Sequence, residues 1–337
     1  MLCLVGLCAL LSSCYVAHLA KGQLSLVNQQ KPLAQAIADE ADPTRRALLA
    51  EVPVVTRFAE RVVAMDRTES YVGYYALERP WLTLVLSSAP RDRLEPHTRW
   101  YPFAGRVPYR SFFDAGRAQE EKARLEAAGY DTYLHESPAY STLGFFRDPV
   151  TTPMLETRFG CTGLVPSGRV DPCRIAQLAE TLLHELTHYH RYVPGNTELN
   201  EQLASFVARK AVVQYLSFRG LYDEPLRQRL QDLYARQAQF AQAVSVAAEE
   251  LRALYASDAS HAQKLAARVP IFERLTQVGL ALFPGSERDD FEMNNARVLQ
   301  YLRYDRHSDA LEALWQAAEG YWPSFWARVD RMLREAT

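Results

Sequence analysis

The stretch LLHELTHYHR, Leu182 to Arg191, sets two histidines, His184 and His188, four residues apart with Glu185 beside the first. On a helix, residues i and i+4 project from one face, which suits two ligands of one tetrahedral zinc ion. The intervening glutamate points beside the ligands and can reach a zinc-held water without binding the metal. The chemistry would be hydrolytic: zinc lowers the water's pKa, Glu185 takes its proton, and a carbonyl is attacked. The plainer reading is a helix with surface histidines, and His190 shows that others stand nearby. Leu182, Leu183 and Leu186, where the helix would turn into a core, favour the metal reading.

Two histidines are not enough, because a catalytic zinc takes three protein ligands and keeps one position open. The next segment, GNTELNEQLASFVARK, opens on a Gly195-Asn196-Thr197 turn and offers Glu198 and Glu201. From Glu201, the positions i+3, i+4 and i+7 are Ala204, Ser205 and Ala208, a stripe of small side chains that would let this helix lie close to the histidine helix. Glu198 falls in the opening turn, where an acid favours the helix N-terminus. Glu201 is therefore the preferred third ligand and Glu198 the alternative.

The elements that must position these residues follow from periodicity. Residues 15–70 read as helical, with apolar residues at three- and four-residue spacing. Residues 71–146 carry short β-branched and aromatic runs, WLTLVLSS, TRWYPFAG, VPYRSFF and YDTYLHES, broken by a helix from Ala115 to Ala128 that Gly129 ends. From 174 to 337 the chain reads as almost wholly helical. The expectation is one α+β domain over 14–337, mostly helical, with a small N-terminal mixed sheet and the metal site in the helical part. Its 337 residues suffice for a large core. At 48% hydrophobic, 23% charged and a formal net charge of −2, the composition is globular, and no basic run points to nucleic acid.

The start, MLCLVGLCALLSSC, is apolar but too short to span a bilayer as a helix. It reads as a signal peptide over 1–13, and Leu11-Ser12-Ser13-Cys14 resembles the lipobox of bacterial lipoproteins, in which the cysteine is lipidated. No Lys or Arg precedes the apolar run, a departure from that pattern; a cytosolic chain with an apolar start is the alternative. Tyr15, rather than aspartate, follows the cysteine, so the expected location is the outer membrane, lipid-anchored and facing the periplasm. In that oxidising compartment Cys161 and Cys173 would form a disulfide. Their spacing lacks the paired CxxC pattern of zinc sites.

His184-Glu185-x-x-His188 followed on the next helix by Asn200-Glu201 resembles the gluzincin arrangement, and more narrowly the bacterial lipoproteins described as predicted aminopeptidases. The likeness also covers Arg99–Asp114, Gly129–Pro149 and NNARVLQYLRY, Asn294–Tyr304, in the same order. The loop between Leu155 and the metal helix departs from it. The resemblance implies a zincin-like peptidase with one zinc ion on His184, His188 and Glu201, Glu185 as base, and peptides as substrate. By analogy it implies an edge strand at Tyr140, Ser141, Thr142 and Gly144 that pairs with substrate, for which a plain core strand is the alternative. It also brings forward Asn295 and Tyr301 as substrate-binding and Tyr304 as an oxyanion donor; the two tyrosines fit equally as packing aromatics. A non-catalytic envelope binding or assembly protein on the same fold is the rival reading, and the intact Glu185 favours an enzyme.

Overall fold

The computed structural model describes residues 2–101, 105–140, 142, 146–156, 161, 169–304 and 309–335, those at 2–14 and 304 by backbone alone. The N-terminal part is helical: α1 (Leu2–Gln29), a short strand β1 (Lys31–Pro32), α2 (Leu33–Asp39) and α3 (Pro43–Arg61). The start of α3 follows from Asp42, whose side chain accepts from the Arg45 backbone N–H, with Pro43 at the first helical position.

The strands are β2 (Gly73–Tyr75), β3 (Thr83–Pro90), β4 (Arg99–Tyr101), β5 (Gly105–Val107), β6 (Tyr109–Phe112), β7 (Tyr130–Ser137) and β8 (Val150–Thr151), with α4 (Ala115–Ala127) before β7 and α5 (Thr152–Leu155) after β8. They form three small sheets where the sequence suggested one. The mixed sheet is β1-β2-β8, with β2 antiparallel to β1 and parallel to β8. The largest is wholly antiparallel, β6-β3-β7, with Val85 opposite both Ser111 and His135. The third is the β4-β5 hairpin. In the antiparallel sheet β3 is buried on both faces, and its apolar Leu84, Val85 and Leu86 run without alternation. Gly129, at φ +83°, lets the chain leave α4 and enter β7.

The outer side of β6 would be a free sheet edge, and α1 covers it. The Tyr15 hydroxyl lies 3.0 Å from both the backbone nitrogen and the carbonyl oxygen of Ser111, and Phe113 N–H donates to His18 Nε2 at 3.2 Å. Side chains thus meet backbone groups that would otherwise invite another strand.

The helical part comprises α6 (Pro172–His190), α7 (Thr197–Phe218), α8 (Glu224–Ala256), α9 (His261–Leu282), a 3₁₀ turn, α10 (Asn295–Tyr304), α11 (Asp309–Ala317) and α12 (Trp322–Glu335). It holds two cores. The first packs α3, α6, α7 and α12, with Leu178, Leu182, Leu183 and Leu186 of α6 at most 3% exposed; each such leucine contributes about 1.5–3 kcal/mol. Glu51 of α3 is buried there but not unmatched: it accepts from the Tyr215 hydroxyl and pairs with Arg219 at 2.6 Å. The second core packs α8, α9 and α10 around Phe240, Val244 and Leu275. The 33-residue α8 runs through both. α10 lies against α7, β3 and β7, joining the helical part to the antiparallel sheet.

Cys161 and Cys173 are bonded, with Cα atoms 5.6 Å apart and a sequence separation of 12. A loop of this length contributes about 3 kcal/mol in the chain-entropy account. The bond ties the segment after α5 to the first turn of α6, the helix that carries the histidines.

Candidate active site

α6 starts at Asp171, whose carboxylate caps the Cys173 N–H at 2.9 Å, and runs without a break through His184, Glu185 and His188. Its leucines face the core, so the two histidines share the opposite flank and their Nε2 atoms stand 3.2 Å apart. The turn into α7 is closed by Asn200, 2% exposed: its Oδ1 accepts from Val193 N–H at 2.8 Å and its Nδ2 donates to the Val193 carbonyl at 2.9 Å. Gly195 turns the chain at φ +80°, and Gly105 of the hairpin packs so close that an added Cβ would stand 2.6 Å from the Gly195 nitrogen. These contacts set where α7 begins and bring Glu201 over the histidines.

Glu201 Oε2 lies 3.2 Å from His184 Nε2 and 3.5 Å from His188 Nε2. Ligand atoms at 2.0–2.2 Å from a tetrahedral zinc would stand roughly 3.3–3.6 Å from one another. Two imidazoles and one carboxylate are donors that a metal ion such as zinc accepts, and the spacing fits one. Glu198 is not part of the cluster; it accepts from Gln202 Nε2 at 3.0 Å in the first turn of α7. The buried Ala204 and Ala208 stand on the face foreseen for close helix contact, with Ser205 half-buried.

The electrostatics separate the roles of the carboxylates. Burial would raise Glu201, but the imidazoles beside it outweigh burial and hold it well below the usual range. Burial would lower His188, and Glu201 outweighs that and raises it. Glu185 is pushed up by burial, only partly offset by the two histidines. Its carboxylate accepts no hydrogen bond among the described residues, so it is free to exchange a proton.

Around this centre stand residues that the sequence reading missed. Tyr71 is buried, held at φ +64°, and its phenol is raised by burial and by the charges of Glu185 and Asp148. Its N–H donates to the Asp148 carbonyl at 2.7 Å, continuing the β2-β8 pairing. Asp148 is pushed up to about 6, chiefly by burial. Tyr109 is raised by burial and by Glu201, and Tyr192 likewise. Nothing local marks these tyrosines among the eighteen in the chain; only packing brings them to the metal helices.

Other expected site residues do other work. β7 ends at Ser137, and neither Tyr140 nor Thr142 lies in a strand: Pro138 cannot donate to a ladder, and the Thr142 N–H and hydroxyl are both spent on Asp148 at 2.9 and 2.8 Å. Ser141 and Gly144 lie outside the described residues. Asn295, fully buried, spends its amide on the Tyr255 hydroxyl and on the Pro90 and Arg93 carbonyls, which makes it a joint between α10, α8 and the segment after β3. The Tyr301 ring packs 4.9 Å from Phe240 in the second core, as a packing aromatic. The side chains of Tyr304 and Cys14 are outside the described set.

Asn200 is a positioning residue, and it was legible only as part of the resemblance. Asn200→Ala removes two hydrogen bonds to Val193, about 1 kcal/mol each, and should loosen the α6-α7 turn and lower metal affinity about tenfold. Metal titration with a competing chelator reads this directly, and unchanged affinity in a folded variant would remove Asn200 from the site.

Residues 14–337 match the family described as "Putative aminopeptidase". No curated protein and no solved structure matches the chain.

Proposed function

The chain belongs to the family described as "Putative aminopeptidase", and on that premise we propose that it is a zinc-dependent peptidase of the gluzincin type that acts in the cell envelope. The convergence of His184, His188 and Glu201, all three ligand atoms within 4.8 Å of one another, carries the reading. These three residues would hold one zinc ion, which when bound supplies Lewis-acid activation of a water and of a peptide carbonyl. Glu185 takes the proton from the attacking water on its free carboxylate and then delivers it to the leaving amine. Its raised affinity for a proton suits both halves of that exchange. The Tyr109 hydroxyl, within reach of Glu201's charge and engaged by no described partner, is available to a carbonyl oxygen. The family description favours removal of N-terminal residues.

A peptide library incubated with the purified protein and read by mass spectrometry tests this. Cleavage from free N-termini that stops with chelator and returns with zinc is expected. Stoichiometric zinc binding without cleavage of any peptide would instead favour a binding protein on the same fold.

The location proposal rests on Leu-Ser-Ser-Cys14. No helix among the described residues is long and apolar enough to cross a membrane. The family match begins at residue 14, and Tyr15 already belongs to the folded body through Ser111, so a chain starting at Cys14 keeps the described packing. Several acyl chains on one cysteine hold a protein firmly to a bilayer, whereas a single chain does not. Cys14→Ser should shift the protein from the membrane fraction to the soluble fraction. Undiminished membrane association, with no lipid found on Cys14 by mass spectrometry, refutes the anchor.

A further inference from the structure

A cavity of about 330 Å³ lies next to the metal cluster, walled by the start of α7, by the β5-β6 segment and by α10. Its position follows from its lining. Glu198 stands one turn before Glu201, and Pro108 directly precedes Tyr109, whose phenol feels Glu201. Three arginines face it, Arg106, Arg252 and Arg303. Arg252 is matched by Glu249 at 2.6 Å. Arg106 is exposed and meets no acid among the described residues.

Arg303 is the telling member. It is 6% exposed, yet its only described polar partner is neutral, the Gln300 Oε1 that accepts from Nη1 at 2.6 Å. Its guanidinium stands 5.4 Å from the Tyr109 ring centre. A buried guanidinium offers five donors and a charge that is costly to leave without a counter-ion. Glu198 is the only acid among the described lining residues, and with Arg252 matched by Glu249 the remaining Arg106 and Arg303 outnumber it, so the cavity keeps an excess of positive charge. At the N-terminus of α7, Asn196 caps Leu199 N–H, and the helix dipole adds to the same sign. The volume sits at the small end of ligand sites, which run to about 300–1,000 Å³, and holds a residue or two of peptide.

We propose that this cavity is the substrate-carboxylate subsite of the peptidase, with Arg303 as the principal contact and Arg106 assisting. The carboxylate comes either from an acidic side chain or from the free C-terminus of a short peptide. The inference rests on the peptidase reading for its purpose, though its charge pattern stands apart from hydrolysis, and binding therefore tests it separately from cleavage.

Calorimetric titration of the full chain would use four probes: acetyl-glutamate amide, acetyl-glutamine amide, acetyl-alanine and acetyl-alanine amide. At least one carboxylate-bearing probe should bind tenfold or more tightly than its neutral isostere. Preference for acetyl-glutamate amide identifies an acidic side chain as the source, and preference for acetyl-alanine identifies the C-terminus. Arg303→Gln should abolish the preference, Arg303→Lys should keep part of it, and the exposed Arg106→Ala should weaken it without disturbing the fold. Neutral probes binding as well as their acids, or a preference that survives Arg303→Gln in a folded variant, overturns the proposal. If the pattern appears while no peptide is cleaved, the subsite stands and the hydrolytic reading falls; cleavage with no carboxylate preference does the reverse.

Discussion

Glu201→Ala should lose zinc and activity together, while Glu198→Ala keeps both within a few-fold. Both residues lie in the first two turns of α7, so the pair isolates position from composition. Glu201 Oε2 approaches both imidazoles at 3.2 and 3.5 Å, whereas Glu198 is turned to Gln202 and the arginine-lined cavity. With Glu201 gone, two histidines remain, one short of the three protein ligands that a catalytic zinc takes. The fall in affinity should exceed the about 10–100-fold that losing an outer partner costs. His188 should also become less basic, because Glu201 is what raises it against burial. Metal content after dialysis, alongside peptidase rate, reads the prediction. A Glu201→Ala protein that holds zinc as the parent does would dismiss Glu201 as a ligand and reopen the search for the third donor.

Glu185→Gln should keep the metal and cost about 10²–10⁴ in kcat. The amide has the size of the acid, and Glu185 stands outside the ligand cluster. No described hydrogen bond depends on its carboxylate, so the substitution strands no partner. The expected loss lies in kcat rather than in KM, because proton transfer belongs to the transition state. A fully active Glu185→Gln protein with its zinc in place would exclude the base mechanism. Measuring both variants for metal and for rate separates the two roles: Glu201 moves both readings, Glu185 only the second.

Some of this was readable from local sequence. His184 and His188 share a face because four residues make about one helical turn, a geometry that needs no partner to hold. The preference for Glu201 over Glu198 came from local signals too: a small-residue stripe on one side and a first-turn position on the other. The end of α4 at Gly129 and the buried run of β3 were equally legible, since backbone freedom and apolar patterning act within a few residues.

What the tertiary structure alone decided is everything that depends on pairing across long separations. Tyr74 pairs with Val150 and Val85 with both Ser111 and His135, and strand composition does not encode its partner; hence three small sheets where one was expected. Asn295 and Tyr301 carry the same residue types whether they line a cleft or join elements, and only packing assigns them to the joint and the core. Tyr71, Tyr109 and Arg303 come from a turn, a strand and a helix far apart in sequence, each oriented by contacts that no local spacing records. By itself the sequence pointed to the His184-His188-Glu201 cluster, because its members sit on two consecutive helices and local periodicity sets the faces they share. The surroundings of that cluster were decided by the fold, because they are assembled from residues that meet only when the sheets and helices pack.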